Sequence, residues 1–187
     1  MMGFDPAEVT PTDGLEPFTT AQVAAFLRAG RQLIATELVA LGDDWARWRP
    51  APDEWSANEC VGHIIEADRR GFGGRIRRIL AADGIAEHDW DQVGVAAARR
   101  DNERTVAEIL AEFEAQRAED IVLVEGLGSA DLDGFAVHDA VGRVTVRDLL
   151  HEWVFHDRNH IRQMLANAQA RAWPAMGNTR RFSHPDR

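Results

Sequence analysis

At 187 residues, 45% hydrophobic and 28% charged, the chain has the size and composition of one soluble domain, with no apolar run near the roughly eighteen residues of a membrane span. A net charge of −10 disfavours a nucleic-acid partner, and all 21 basic residues are arginine, which excludes a Schiff-base or P-loop lysine. The single cysteine, Cys60, excludes an intrachain disulfide and the cysteine-rich zinc sites, leaving seven histidines as soft ligands.

Residues 1–17 carry acids and prolines and no basic stretch followed by an apolar one, so they read as an N-terminal arm of a cytoplasmic protein. Thr19 and Thr20 precede Val23, Phe26, Leu27, Ile34, Leu38 and Leu41, whose three-to-four spacing predicts a first helix ending at Gly42. A connector with Trp45, Trp48, Pro50 and Pro52 is too proline-rich to be helical. Ser56 and Glu59 then have capping-box spacing, with Trp55 and Cys60 at the staple positions, so a second helix starts there and runs to about Leu80. Gly71, Gly73 and Gly74 in its far half predict a kink or a close helix contact. Ala82 to Arg100 is a long connector bearing His88 and Trp90. Val106, Ile109, Leu110, Phe113, Ile121 and Val124 mark a third helix closing near Gly126 and Gly128. Phe135–Val137 and Arg143–Val144 flank a glycine turn, compatible with a short hairpin or an ordered loop. Thr145 and Asp148 repeat the capping box, and a fourth helix runs to about Ala172. The pattern predicts an all-α four-helix bundle over residues 18–174, with residues 175–187 as a loosely held tail.

His156 and His160 stand four residues apart on the fourth helix, the spacing by which one helix face offers two imidazoles to one metal. Glu152, Trp153 and Gln163 fall within about 60° of His156, so the stripe is too polar for plain core. His63 on the second helix borders a buried stripe and can point across the bundle, making a third ligand. Each histidine alone reads more readily as a half-buried, hydrogen-bonded residue; the three together shift the balance toward a divalent ion, zinc or nickel by ligand type. Glu66 and Glu152, each about one turn from a ligand histidine, are the candidate acids to orient an imidazole or take a proton. Glu59 is explained by the cap, Asp157 reads as an outer ion-pairing acid, Cys60 as a staple residue, and His151, His88, His138 and His184 as surface residues. Trp153 is expected to wall a pocket at one end of the bundle, with Trp48 and His88 to Trp90 above it. Trp48 and Trp55 read more readily as core plugs, and Trp90 as the better lid.

Trp48-Arg-Pro50, Trp55-Ser-Ala-Asn-Glu59, His63, and Leu149-Leu150 leading into His156-Asp-Arg-Asn-His160-Ile-Arg-Gln163 resemble the DinB/YfiT-like superfamily. The resemblance implies an up-down-down-up order and a divalent metal held by His63, His156 and His160. It also implies a low-molecular-weight-thiol S-transferase with mycothiol or bacillithiol as co-substrate; the lysine-free composition leans toward mycothiol. The alternatives are a metal-dependent hydrolase that activates water and a non-catalytic helical binding module. The expected partners are a small-molecule substrate and a second copy of the chain in a homodimer, with no nucleic acid and no membrane.

Overall fold

A computed structural model describes residues 14 and 16–183. The predicted arm lies almost wholly outside them, as does His184. The four long helices all start on capping boxes. For α1 (Thr20–Ala46) it is Thr19 with Gln22, and for α2 (Ala57–Glu66) Ser56 with Glu59. For α5 (Val106–Gly126) it is Thr105 with Glu108, and for α6 (Val146–Ala172) Thr145 with Asp148. Each pair satisfies backbone donors that a helix start leaves free. Gly42, at φ 66°, breaks α1 where its end was expected, and a last turn follows to Ala46.

The second helix is not continuous to Leu80 as expected. After Glu66 a π-helical turn, Ala67–Gly71, inserts an extra residue, Phe72 leaves helical geometry at ψ −87°, and α3 (Gly73–Ala81) resumes. Both readings of the glycines hold: the helix kinks, and it packs closely. A Cβ on Gly73 would lie 2.2 Å from Asp120 Oδ1, and one on Gly74 would lie 1.8 Å from the Arg69 carbonyl oxygen.

Cross-helix contacts fix the directions. Arg28 pairs with Glu125 and Asp43 accepts from Val106 N, so α1 and α5 are antiparallel. Phe18 meets His151 and Arg158 bonds the Phe26 carbonyl, so α1 and α6 are parallel. Trp55 meets Asn167 while Phe72 meets Trp153, so α2 and its continuation oppose α6. Arg69 meets Glu112 and Arg77 meets Asp120, so that continuation runs with α5. The result is an up-down-down-up four-helix bundle.

Because α2–α3 and α5 point the same way, the chain between them must travel back along the bundle, and this sets the connector's length. The connector is more ordered than expected. It holds β1 (Ile85–Glu87), α4 (Gln92–Arg99) and a 3-10 turn at Asp101–Glu103. The hairpin forms as β2 (Phe135–His138) antiparallel to β3 (Gly142–Thr145), and β1 adds to β2 in parallel, Ile85 opposite Ala136. After α6 a 3-10 stretch, Trp173–Thr179, leads to α7 (Arg180–Ser183).

The core divides into two apolar clusters. Leu27, Ile76, Ile121, Leu149 and Trp153 belong to one, and Ile34, Ile64, Ile109, Phe113 and Met164 to the other. Between them, on successive helices, fall Gly30, Asp68, Arg117 and Asp157. Arg117 is wholly buried. It forks onto Asp68 (Nε to Oδ2, 3.1 Å) and onto Asp157 (Nη2 to Oδ1, 3.1 Å), while the Trp153 indole donates to Asp68 Oδ1 at 2.8 Å. Asp157 is therefore an ion-pairing acid as predicted, but an interior one. Gly30 makes room for it, since a Cβ there would stand 3.2 Å from Asp157 Oδ2.

Candidate functional site

The capping box at Ser56 sets where α2 begins, and His63 follows two turns later on its inner face, 6% exposed. His156 and His160 project from one face of α6 toward it. One ligand atom from each of the three histidines lies within 4.8 Å of the others, and His63 Nε2 stands 3.1 Å from His156 Nε2. Metal–nitrogen bonds of about 2.1 Å place two nitrogens about 3.0 Å apart at right angles and about 3.4 Å apart in a tetrahedron. The His63–His156 separation falls between, so these two nitrogens are spaced to share one divalent ion, with a His160 nitrogen within 4.8 Å of both.

Burial disfavours the charged form of all three rings. Burial, with His160 nearby, lowers His63 to about 4. Burial lowers His156 to about 2, with help from the charges of His160, His63 and Arg117. Burial also lowers His160, against the raising effects of Gln163 and Asp157. Gln163 Oε1 stands 3.2 Å from His160 Nδ1 and orients that ring. The Nδ1 atoms of His63 and His156 are buried with no hydrogen-bond partner among the described residues. The rings are instead held by aromatic neighbours. Trp55 is 4.9 Å from His63 and Trp90 is 5.9 Å from it, while Phe72 stands 5.1 Å from His156, all between ring centroids.

The histidines open onto a cavity of about 320 Å³, walled by Trp55, Phe72, Arg75, Trp90, Gln92 and Glu152. Trp90, expected as a lid, lines the cavity, with the Arg70 guanidinium 5.9 Å from its ring. Trp48 does not line it; Trp55 does. Trp153, expected as a wall, is 0% exposed and stacks behind Phe72 at 5.3 Å. Its angular position on α6 suited either place, and Asp68, which takes its N–H, draws it into the core. Phe72, Arg75 and Gln92 gave no signal in the sequence, because the π turn and α4 that place them have no periodic signature.

The two predicted acids differ. Glu152 is exposed at the cavity and accepts no hydrogen bond from the described residues. Glu66 is buried away from it, accepting from Arg70 Nε at 2.7 Å and Arg99 Nη1 at 2.8 Å. Burial alone would raise its pKa, but hydrogen bonds from Arg70 and Arg99 hold it below the usual range. Glu59 caps α2, as expected, and also takes Arg49 Nε at 2.8 Å. Cys60 is buried, and desolvation pushes its thiol up to about 12. Two histidines read as surface residues are not. His138 is 5% exposed between Asp89 and Asp139, and His151 is half-buried, accepting from Phe18 N at 3.0 Å. His88 is exposed, as expected, and pairs with Asp139.

An up-down-down-up bundle with three clustered histidines facing an open cavity defines the class. Residues 25–164 match the model of the DinB superfamily, and the chain belongs to that superfamily. No curated protein matches it in sequence. Among solved structures it is similar to YfiT from Bacillus subtilis, described as a probable metal-dependent hydrolase with an unusual four-helix bundle topology. That similarity has 14% identity and a TM-score of 0.76, over 89% of this chain and 95% of that one. It is also similar to a mycothiol-dependent maleylpyruvate isomerase, with 8% identity and a TM-score of 0.65, over 80% of this chain and 63% of that one. A DinB-like protein from Bacillus subtilis matches with 18% identity and a TM-score of 0.56, over 79% of this chain and 90% of that one. At these identities the likeness concerns the fold. No helix among the described residues is long and apolar enough to cross a membrane.

Proposed function

We propose that the protein is a metal-dependent enzyme that transfers a low-molecular-weight thiol to a small electrophile. His63, His156 and His160 would hold the ion, and no fourth histidine, cysteine or acid joins them among the described residues. That is the observation on which the reading rests, because structural zinc is closed by four protein ligands whereas a three-ligand site leaves positions for substrate. When bound, the ion would supply Lewis acidity, which lowers the pKa of a coordinated thiol or water.

The nucleophile comes from outside the chain, since Cys60 is buried and held protonated. Glu152 lines the cavity with nothing to position it, and Glu66 is engaged by arginines. A thiol, acidic enough to ionise without a poised base, suits this arrangement better than water does. Trp55, Trp90 and Phe72 supply the apolar walls that exclude solvent. Hydrolysis is the second reading. It is favoured by the placement of Glu152 one turn before His156, where its carboxylate can take a proton from water.

The test is turnover of a panel of electrophiles by metal-loaded protein, with and without mycothiol, bacillithiol and simple thiols. Turnover that requires a thiol and survives Glu152→Gln supports transfer. Turnover without thiol that falls by about a hundredfold in Glu152→Gln establishes hydrolysis and overturns the transfer reading.

A further inference from the structure

The cavity onto which the histidines open is also lined by Arg75, from α3, and its guanidinium is only partly used. Its side chain is 12% exposed. Nε reaches Glu87 Oε2 at 3.3 Å and Nη2 reaches the His88 carbonyl at 3.3 Å, both long. Nη1 has no hydrogen-bond partner among the described residues. Glu87 meanwhile belongs to Arg78, which grips it with Nε at 2.6 Å and Nη2 at 2.8 Å. Two guanidinium groups thus share one buried carboxylate, in a chain whose net charge is −10.

The surplus positive charge lies on the cavity side. A buried or half-buried guanidinium is costly unless an anion completes its fork, and planar carboxylates match that fork best. The acids that line the cavity do not fill this role. Asp89 is 78% exposed and turned to His138 Nε2 at 3.3 Å, and Glu152 makes no ion pair among the described residues. Gln92, at the start of α4, adds an amide to the same cavity wall.

We infer that Arg75 anchors a carboxylate of the substrate, so that the cavity takes a small carboxylic acid with a planar or apolar body between Trp55, Trp90 and Phe72. This rests on the reading of the cavity as the active site and names the class of molecule it admits. Arg75 acts here as a specificity residue, fixing one end of the substrate while its reacting end faces the histidines.

The experiment compares phenylacetate with its neutral isostere phenylacetamide by calorimetric titration, using metal-free and cobalt-loaded protein. Wild type should bind the acid at least about tenfold more tightly than the amide, the effect of one charge-assisted pair. Arg75→Gln should erase that preference while leaving the amide unchanged, and Arg75→Lys should keep part of it. Glu87→Gln, which removes the competing carboxylate, should widen the preference and tests the inference even if Arg75→Gln folds poorly. Equal affinities for acid and amide in wild type, or a preference that survives in Arg75→Gln, overturn the inference. Failure to take up cobalt overturns the metal reading instead, and the acid-to-amide ratio of the metal-free protein still decides the role of Arg75.

Discussion

Replacing Arg117 by methionine should destabilise the protein far more than its position in mid-helix suggests. Arg117 is wholly buried, holds Asp68 and Asp157 through both faces of its fork, and stacks 5.2 Å from the Phe113 ring. Methionine fills much of the same volume, so the loss is electrostatic: two interior carboxylates are left without their cation. Asp68 is already pushed up by desolvation, with Asp157 and Asp120 adding to the push and Arg117 and Trp153 opposing it. Removing one partner of a buried ionic set costs about 3–5 kcal/mol. For a chain of this length, that corresponds to a fall of roughly 6–20 °C in Tm.

Urea unfolding monitored by circular dichroism measures the cost. The control is the triple variant Arg117→Met, Asp68→Asn, Asp157→Asn, in which no charge is stranded; it should recover at least half of the loss. Because Asp157 adjoins His156, the single variant should also weaken metal uptake. A cost below about 1 kcal/mol, or a triple variant no better than the single one, would show that the layer is not held by charge pairing.

Other outcomes follow from the same structure. Trp90→Ala should change KM or substrate selectivity with little loss of metal, because the ring lines the cavity and is not one of the clustered histidine ligands; a large fall in stability with unaltered kinetics would place it in the core instead. Gly62→Ala should cost about 1–3 kcal/mol in a denaturant titration, since its Cβ would stand 1.8 Å from Asp101 Oδ2, a buried carboxylate gripped by Arg99; a neutral effect would contradict that close packing. Glu112 predicts acid sensitivity. Burial would raise it, yet hydrogen bonds from Arg99, Arg104 and Arg69 hold it at about 2 against an ordinary 4.5. A carboxylate whose folded pKa is depressed adds stability above its unfolded pKa and loses it as pH falls toward the folded one, so the urea midpoint should drop below about pH 4.5, and less steeply in Glu112→Gln. An identical drop in the variant would assign the acid sensitivity to other carboxylates.

What the sequence disclosed, and what it hid, follows from the range of the interactions. Ser56 with Glu59 and Thr145 with Asp148 were legible because a capping box is local, and both pairs make the expected bonds. The His156–His160 pair was legible for the same reason: i,i+4 spacing decides a shared face before anything else folds. His63 needed only the edge of an apolar stripe. The buried charges were hidden. Asp68, Arg117 and Asp157 look like ordinary helical surface residues, and only the meeting of three helices opposite Gly30 shows that they form an interior layer. The parallel pairing of β1 was hidden too, since three residues carry no usable alternation and their partner is some fifty positions away. The angular argument that brought Trp153 to the ligand face was correct as geometry; a helical wheel does not say whether a residue on that face meets a cavity or the core.

The account turns on whether His63, His156 and His160 hold a metal. Metal-free protein should be reconstituted in turn with zinc, nickel and cobalt, passed through a desalting column and analysed for bound metal beside His63→Ala, His156→Ala, His160→Ala and the triple variant. The account predicts about one equivalent of at least one of these ions in wild type, strongly weakened binding in every single variant and none in the triple. Less than about a tenth of an equivalent in wild type, with the triple variant indistinguishable from it, would contradict the account.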